Sequence, residues 1–329
     1  MTGQLPGTTN DVRPADFNGD GKPDLITFSS NSGAYFVLLG NGDGTFGTLT
    51  PSSSPECATA NFPSIAIGDF NLDGKMDIAG PARSITNSPV IRVCLGNGDG
   101  TFTFFADFDT GIQHTFILPG DFNHDGKLDL ATSDEHGISI LLGNGDGSFQ
   151  SGIPTALNAT FPLFTAGDFN GDGKLDVAAT TAVGISVLLG NGDGTFKAPR
   201  VSTGPTHGFL AVGDLNKDGK MDLVSSGVAV FLGKGDGTFE APLHFPVSGP
   251  NSRPILADLN GDGNLDVAVA TNAGVSVLLG DGNGNLMAPE VFRAPRADGI
   301  ASGKFNGNKS VDLVLVLNTG VIVTLLNQK

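Results

Sequence analysis

The stretch Asp16–Leu25 reads DFNGDGKPDL, and it recurs as DFNLDGKMDI from Asp69, DFNHDGKLDL from Asp121, DFNGDGKLDV from Asp168, DLNKDGKMDL from Asp214 and DLNGDGNLDV from Asp258. A degenerate seventh copy, KFNGNKSVDL, starts at Lys304. Successive copies begin 53, 52, 47, 46, 44 and 46 residues apart. Self-similarity at that period marks a propeller, a solenoid or an array. A second word follows within each period: LLGNGDGTF ending at Phe46, CLGNGDGTF at Phe102, LLGNGDGSF at Phe149, LLGNGDGTF at Phe196, FLGKGDGTF at Phe239 and LLGDGNGNL at Leu286. Its Asn-Gly-Asp-Gly core is a hairpin signal, because such turns need positive φ and glycine supplies it without strain.

Each period therefore reads as four strands, one on either side of the Asp loop and one on either side of the hairpin. Segments such as GISILLG (Gly137–Gly143) and VSVLLG (Val275–Gly280) are apolar throughout instead of alternating, the pattern of strands buried on both faces. Seven repeats of four antiparallel strands, buried between neighbouring sheets, predict an all-β fold: one seven-bladed β-propeller over residues 1–329. A solenoid competes, but its repeats are usually shorter and its ends need polar caps. The last repeat stops at VIVTLLNQK, after its third strand, and the residues before Asn10 precede the first inner strand. The N-terminal segment is expected to complete the last blade and close the ring.

Composition agrees. The chain has 49 Gly, 30 Asp against 4 Glu, no Trp and one Tyr, with 39% apolar and 16% charged residues. Glycine and aspartate favour turns over helices, and the regular apolar clusters exclude a disordered chain. A net charge of -16 without a basic run argues against nucleic acid, and no apolar run approaches the length needed to span a membrane. The start MTGQLPGTTN has neither the basic start nor the apolar core of a signal peptide. If the protein is secreted, the sequence is expected to be the mature form behind an added Met.

The pattern DxNxDGxxD resembles the first part of an EF-hand loop. Positions 1, 3 and 5 offer side-chain oxygens, Gly at position 6 makes the turn, position 7 offers its carbonyl and position 9 closes the cage. The expected ligands are Asp16, Asn18, Asp20, Lys22 and Asp24; then Asp69, Asn71, Asp73, Lys75 and Asp77; then Asp121, Asn123, Asp125, Lys127 and Asp129. They continue with Asp168, Asn170, Asp172, Lys174 and Asp176; Asp214, Asn216, Asp218, Lys220 and Asp222; and Asp258, Asn260, Asp262, Asn264 and Asp266. All-oxygen donors in a short flexible loop suit calcium better than magnesium, and the lack of His or Cys disfavours zinc. Six calcium ions are expected. The position-7 lysines are read as ligands through their carbonyls, with their ammonium groups in solvent. His124 is read as solvated, and the hairpin residues Asp43, Asp99, Asp146, Asp193 and Asp236 as turn formers. The seventh loop, with Lys304, Asn308 and Lys309 at positions 1, 5 and 6, is expected to bind no ion, with the Lys304 ammonium beside Asp312 in its place.

These motifs resemble the FG-GAP, or VCBS, repeats of the integrin α-chain propeller, of a fungal lectin propeller and of many bacterial secreted proteins. The likeness covers nearly the whole chain, although the FG...GAP words themselves are absent and the chain sits nearer the bacterial and fungal branch. It implies a calcium-loaded propeller, secreted or at the cell surface, that recognises a glycan or an extracellular protein. The alternatives are a structural or adhesive spacer without a small-molecule ligand, and an enzyme working from the central mouth, for which no catalytic motif occurs.

Asp loops and hairpins share one rim, so the remaining connections form the opposite face. There the repeats differ, with insertions at Pro51–Asn61 and Pro81–Pro89, as loops carrying function over a fixed scaffold do. Candidate ligand contacts on that face are Arg83, Asp107, His114, Asp134, His136, His207, Asn251, Arg253, Arg296 and Asp298. Sugar stacking would have only Tyr35, since the phenylalanines are expected in the core. Cys94 lies near the hairpin end of its strand and Cys57 in the opposite-face insertion, a separation that predicts a buried free thiol at Cys94.

Overall fold

The computed structural model describes residues 2–4, 11–29, 34–48, 50–51, 57, 64–110, 113–157, 159, 162–204, 208–250 and 252–327. Its 28 strands form seven four-stranded antiparallel sheets. The last sheet includes β1 (Thr2–Gln4), to which the chain ends return. Blade 1 is β2 (Val12–Ala15), β3 (Asp24–Ser29), β4 (Ala34–Leu38) and β5 (Thr50–Pro51), from the inside outward. Blade 2 is β6 (Ala66–Gly68), β7 (Asp77–Arg83), β8 (Pro89–Gly96) and β9 (Phe102–Asp109). Blade 3 is β10 (Phe116–Gly120), β11 (Asp129–Asp134), β12 (Gly137–Leu141) and β13 (Ile153–Ala156). Blade 4 is β14 (Phe164–Gly167), β15 (Asp176–Thr181), β16 (Gly184–Leu188) and β17 (Arg200–Thr203). Blade 5 is β18 (Leu210–Gly213), β19 (Asp222–Ser225), β20 (Ala229–Phe231) and β21 (Leu243–His244). Blade 6 is β22 (Ile255–Ala257), β23 (Asp266–Thr271), β24 (Gly274–Leu278) and β25 (Glu290–Arg293). Blade 7 is β26 (Ala297–Gly303), β27 (Asp312–Leu317), β28 (Val321–Leu325) and, outermost, β1.

The ring closes as the sequence predicts: Thr2 pairs with Ile322 and Gln4 with Val321, and inner strand β26 contacts β2 of blade 1. The all-apolar segments are the middle strands. Every residue of β11, β12, β23 and β24 is buried, whereas outer strand β25 is exposed throughout. The core lies between blades, as one cluster per junction.

Neighbouring blades interlock through the two repeated words. The hairpin Phe of one blade packs edge-on against the second residue of the preceding blade's Asp loop: Phe102 on Phe17, Phe149 on Phe70, Phe196 on Phe122, Phe239 on Phe169 and Phe46 on Phe305, with centroids 5.6–6.3 Å apart. Each such pair adds roughly 0.5–1.5 kcal/mol beyond area burial. The hairpin's last glycine needs both its conformation and its smallness. At Gly194 φ is +82°, and an added Cβ would fall 2.9 Å from Leu142 of the preceding blade.

One expectation is corrected here. Cys57 and Cys94 form a disulfide with Cα atoms 6.1 Å apart. The connection from β5 to β6 carries Cys57 into the cluster shared by blades 1 and 2, among Phe28, Tyr35, Ile65 and Ile78, instead of leaving it on the opposite face. The insertion at Pro81–Pro89 takes the form of longer β7 and β8 strands joined by a short turn with Ile85 at the exposed tip. Most of Pro51–Asn61 lies outside the described residues.

Candidate metal loops and candidate ligand mouth

In the first loop, Asp16 Oδ1 accepts N–H groups from Gly19 (2.7 Å) and Asp20 (3.2 Å), and its Oδ2 accepts Gly21 N–H at 2.8 Å. Asn18 Oδ1 accepts Asp20 N–H, and Asp20 Oδ1 accepts Lys22 N–H. Positions 1, 3 and 5 thus wrap the backbone around their own oxygens. Asp24 at position 9 is buried beneath them, with Oδ2 on Phe17 N–H and Oδ1 on Gly40 N–H. The same position-9 pair of bonds recurs at Asp77, Asp129, Asp176, Asp222 and Asp266. Motif reading made position 9 a ligand; it missed that this carboxylate also bolts the Asp loop to the glycine opening the hairpin. The recurring LLG word was the available signal.

The donor set fits a hard cation: three carboxylates, an amide oxygen and a backbone carbonyl per loop. Burial pushes all six position-9 carboxyls up, with nearby loop carboxylates adding repulsion, and Asp77 reaches about 6. Among the described residues no three His, Cys, Asp or Glu side chains are drawn into a ready cage; backbone N–H groups hold the oxygens. The position-7 lysines do not simply trail in solvent. Lys22, Lys75, Lys127 and Lys220 fold back to the position-5 carboxylate, Nζ–O 3.0–3.6 Å, and their stems lie over the hairpin glycines. The hairpin aspartates are turn residues, as Asp43 shows by accepting Thr45 N–H.

In the seventh loop, Asp312 accepts N–H from Phe305, Asn306 and Asn327, plus Asn306 Nδ2. Lys304 is exposed and makes no ion pair among the described residues. The expectation of a Lys304 counter-charge is corrected: neutral amides occupy the carboxylate, because Asn306 reaches inward while Lys304 points out.

On the opposite face, a cavity of about 390 Å³ opens where the seven inner strands begin. Its wall takes Asp11, Ser64, Thr115, Leu163, Phe209 and Arg253 from beside the first residues of six inner strands, and Arg296, Asp298 and Ile300 from around β26. Arg253 lies over Phe209 and Phe116, 5.0 and 5.7 Å from their centroids, and reaches Asp11 with one nitrogen at 3.5 Å. Burial draws its pKa down to about 10, which leaves it charged at neutral pH. Burial raises the Asp11 carboxyl, but Arg13 and Arg253 together pull it below its ordinary value. Arg296 Nε donates to Asp298 at 2.7 Å.

Of the predicted face residues, the fold brings Arg253, Arg296 and Asp298 together in this mouth. The others are placed elsewhere. Asp107 sits on β9 in a two-bonded pair with Arg92. Asp134 is buried and holds the β11–β12 turn through His136 N–H, Gly137 N–H and Ser139 Oγ. His114 is buried with neither ring nitrogen partnered, and His136 is on an exposed turn. Arg83 bonds the Asn87 carbonyl and Gln113. His207 and Asn251 lie outside the described residues. Tyr35 is buried in the core and offers no stacking surface. Asp11, Phe116 and Phe209 were missed, because only the ring brings the starts of different inner strands together.

The FG-GAP-like repeat family matches residues 6–80, 84–132, 121–179, 168–225, 224–269 and 258–315. The chain belongs to the FG-GAP-like repeat family. Comparison with curated protein sequences gives no significant match. Among solved structures, this FG-GAP-like propeller is similar to a lectin of Agrocybe aegerita that specifically recognises non-reducing terminal N-acetylglucosamine. The TM-score is 0.64 at 22% identity, over 95% of this chain and 86% of that one. It is similar to BBS1N in complex with ARL6DN, with TM-score 0.64 at 15% identity over 99% and 94% of the two chains. It also resembles the Dos1 propeller, with TM-score 0.57 at 11% identity over 97% and 77%. At these identities the likeness is one of fold.

Proposed function

We propose that this FG-GAP-like propeller is a recognition module, stabilised by about six calcium ions, that works secreted or at the cell surface and binds a glycan or an extracellular protein at its central mouth. The mouth carries the reading. Arg253 lies over two phenyl rings, and its sole acceptor among the described residues is one Asp11 oxygen at the edge of hydrogen-bonding range, which leaves guanidinium donors for a ligand in a cavity of about 390 Å³. The wall is concave and sets Phe116, Leu163, Phe209 and Ile300 beside fixed polar groups, and a concave site with placed polar groups is what ligand sites share. The two similar propellers that engage a sugar and a protein partner support this general use of the fold. The Cys57–Cys94 bridge supports an oxidising compartment. Catalysis is disfavoured because both mouth carboxylates, Asp11 and Asp298, are engaged by arginines.

Calcium would cancel twelve of the sixteen net negative charges, and 18 of the 34 acidic residues lie in the six loops. The test has two parts. Native mass spectrometry should count six ions per chain, and chelation should lower the melting temperature; seven ions would overturn the reading of the seventh loop as ion-free, and an unchanged melt would overturn the metal reading. A glycan array and an extracellular-protein panel, probed with the calcium-loaded protein, should give saturable binding that Arg253→Ala abolishes. Binding indifferent to that substitution removes the mouth as the site, and silence on both panels favours a spacer.

A further inference from the structure

The polar groups of the central mouth are unevenly committed. Its three hydroxyls serve the blades themselves. Ser64 Oγ accepts Ile117 N–H at 3.2 Å, Ser252 Oγ accepts Ala270 N–H and donates to the Arg253 carbonyl, and Thr115 Oγ1 shares a bond with Ser133 Oγ at 3.1 Å. Its two carboxylates each hold arginine: Asp298 takes Arg296 Nε, and Asp11 takes Arg13 Nε at 2.9 Å and Arg253 at 3.5 Å.

What is left over is guanidinium N–H. A guanidinium has about five such donors, and among the described residues these bonds use one on Arg253 and one on Arg296. Arg13, which shares Asp11 with Arg253, adds a buried Nη2 that has no partner among the described residues. Three guanidiniums thus meet two carboxylates, leaving one positive charge unanswered in a chain whose net charge is -16. The rest of the wall is apolar: Phe116, Leu163, Phe209 and Ile300. Leu163 and Phe209 are half-buried and so keep surface for a ligand. A sugar ring would bring several hydroxyls to a wall whose own hydroxyls are already bonded, and a hydroxyl buried without a partner is destabilising.

We propose that the mouth binds a carboxylate carried on a compact apolar body, with Arg253 taking the carboxylate oxygens, Arg296 adding charge beside it, and the body lying against Leu163, Phe209 and Ile300. The C-terminal apolar residue of a polypeptide and a free aromatic or branched acid share this chemistry. The guanidinium fork matches two coplanar oxygens, and capture of a terminal carboxylate is a recurring mode of peptide recognition. The cavity of about 390 Å³ lies near the lower end of ligand pockets, which run from roughly 300 to 1,000 Å³, and so suits a single residue better than a long segment. This inference rests on the mouth being the ligand site, and narrows what that site takes.

The probes are N-acetyl-L-phenylalanine, its carboxamide, 3-phenylpropionate and D-glucuronate, each titrated against the full calcium-loaded chain and read by saturation-transfer NMR. N-acetylphenylalanine should bind saturably and about tenfold or more tightly than the carboxamide, which keeps the ring and removes the charge. Arg253→Ala should weaken it by about as much, and Arg253→Lys, which keeps the charge without the fork, should restore only part. The carboxamide comparison uses the unaltered chain, so the test stands even where Arg253→Ala fails to fold. Equal binding of acid and carboxamide, no saturable binding of either phenyl acid, or tighter binding of glucuronate would overturn the proposal. N-acetylphenylalanine binding more tightly than 3-phenylpropionate supports it with a polypeptide terminus as the source, and equal affinity supports it with a free acid. The two readings of the mouth fail separately. A glycan or protein whose binding needs Arg253 but is not displaced by N-acetylphenylalanine overturns this inference and leaves the mouth as the site, whereas ligands indifferent to Arg253→Ala remove both.

Discussion

Asp24 Oδ1 accepts the backbone N–H of Gly40 at 2.7 Å, sixteen residues along the chain, while its Oδ2 holds Phe17 N–H at 2.8 Å. One buried carboxylate thus fastens the Asp loop, the aromatic that the next blade covers, and the first residue of the hairpin. Its geometry recurs in the next five blades, and Asp312 with Asn327 N–H preserves it in the seventh.

The glycine in this bond has no room for a side chain. A Cβ on Gly40 would lie 2.2 Å from the Pro23 carbonyl oxygen, and neither backbone can yield without losing the carboxylate. Gly40→Ala should cost about 2–3 kcal/mol. Gly47→Ala, whose Cβ would meet nothing closer than 3.5 Å, should stay within about 0.5 kcal/mol of wild type. Urea denaturation of both variants measures the difference.

Acid should stabilise the metal-free protein. The Asp77 carboxyl stands at about 6 against an ordinary 3.8, and the other five position-9 carboxyls are also raised, burial being the first cause. Between those two values the folded state binds more protons than the unfolded one, so stability falls as pH rises. The melting temperature of dialysed, metal-free protein should therefore decline from about pH 4 to pH 6. A flat or rising profile over that window contradicts the assignment.

Reduction should destabilise one junction. The Cys57–Cys94 bridge spans 37 residues of chain, and closing a loop of that length is typically worth about 2–4 kcal/mol. A reducing agent, or Cys94→Ala, should lower the denaturation midpoint accordingly. Hydrogen exchange should place the loosened amides in blades 1 and 2, where both cysteines share a core.

Position 4 of the loops offers a gain. His124 and Lys217 hold φ at +64° and +61°, a left-handed conformation that costs L-residues about 1–2 kcal/mol, while Gly19, Gly171 and Gly261 occupy it in other loops. His124→Gly and Lys217→Gly should raise stability by up to about 1 kcal/mol, after the glycine's own entropic cost. Thermal melts of the two single variants and the double variant test this.

The fold was legible because each signal was repeated. The Asp loop, the hairpin word and the all-apolar strands fix blade number and strand order, and the truncated last repeat points to closure by the N-terminus. What escaped depends on proximity that no single repeat encodes. Arg253 meets Phe116, Phe209 and Asp11 only because the ring brings distant strand starts together. Asp134 reads like a face residue until three local donors enclose it. Cys57 reads like a loop residue because nothing near it in sequence reveals the core of blades 1 and 2 in which it is buried.

Blade 7 unites residues from both chain ends: Thr2–Gln4 can pair only when Val321 and Ile322 exist. That pairing joins residue 2 to residue 322, the longest loop closed by any strand pair of the ring, so it is the sheet contact with the greatest entropic cost of closure. Until it forms, blade 7 holds three strands and the outer wall of the ring has a seam.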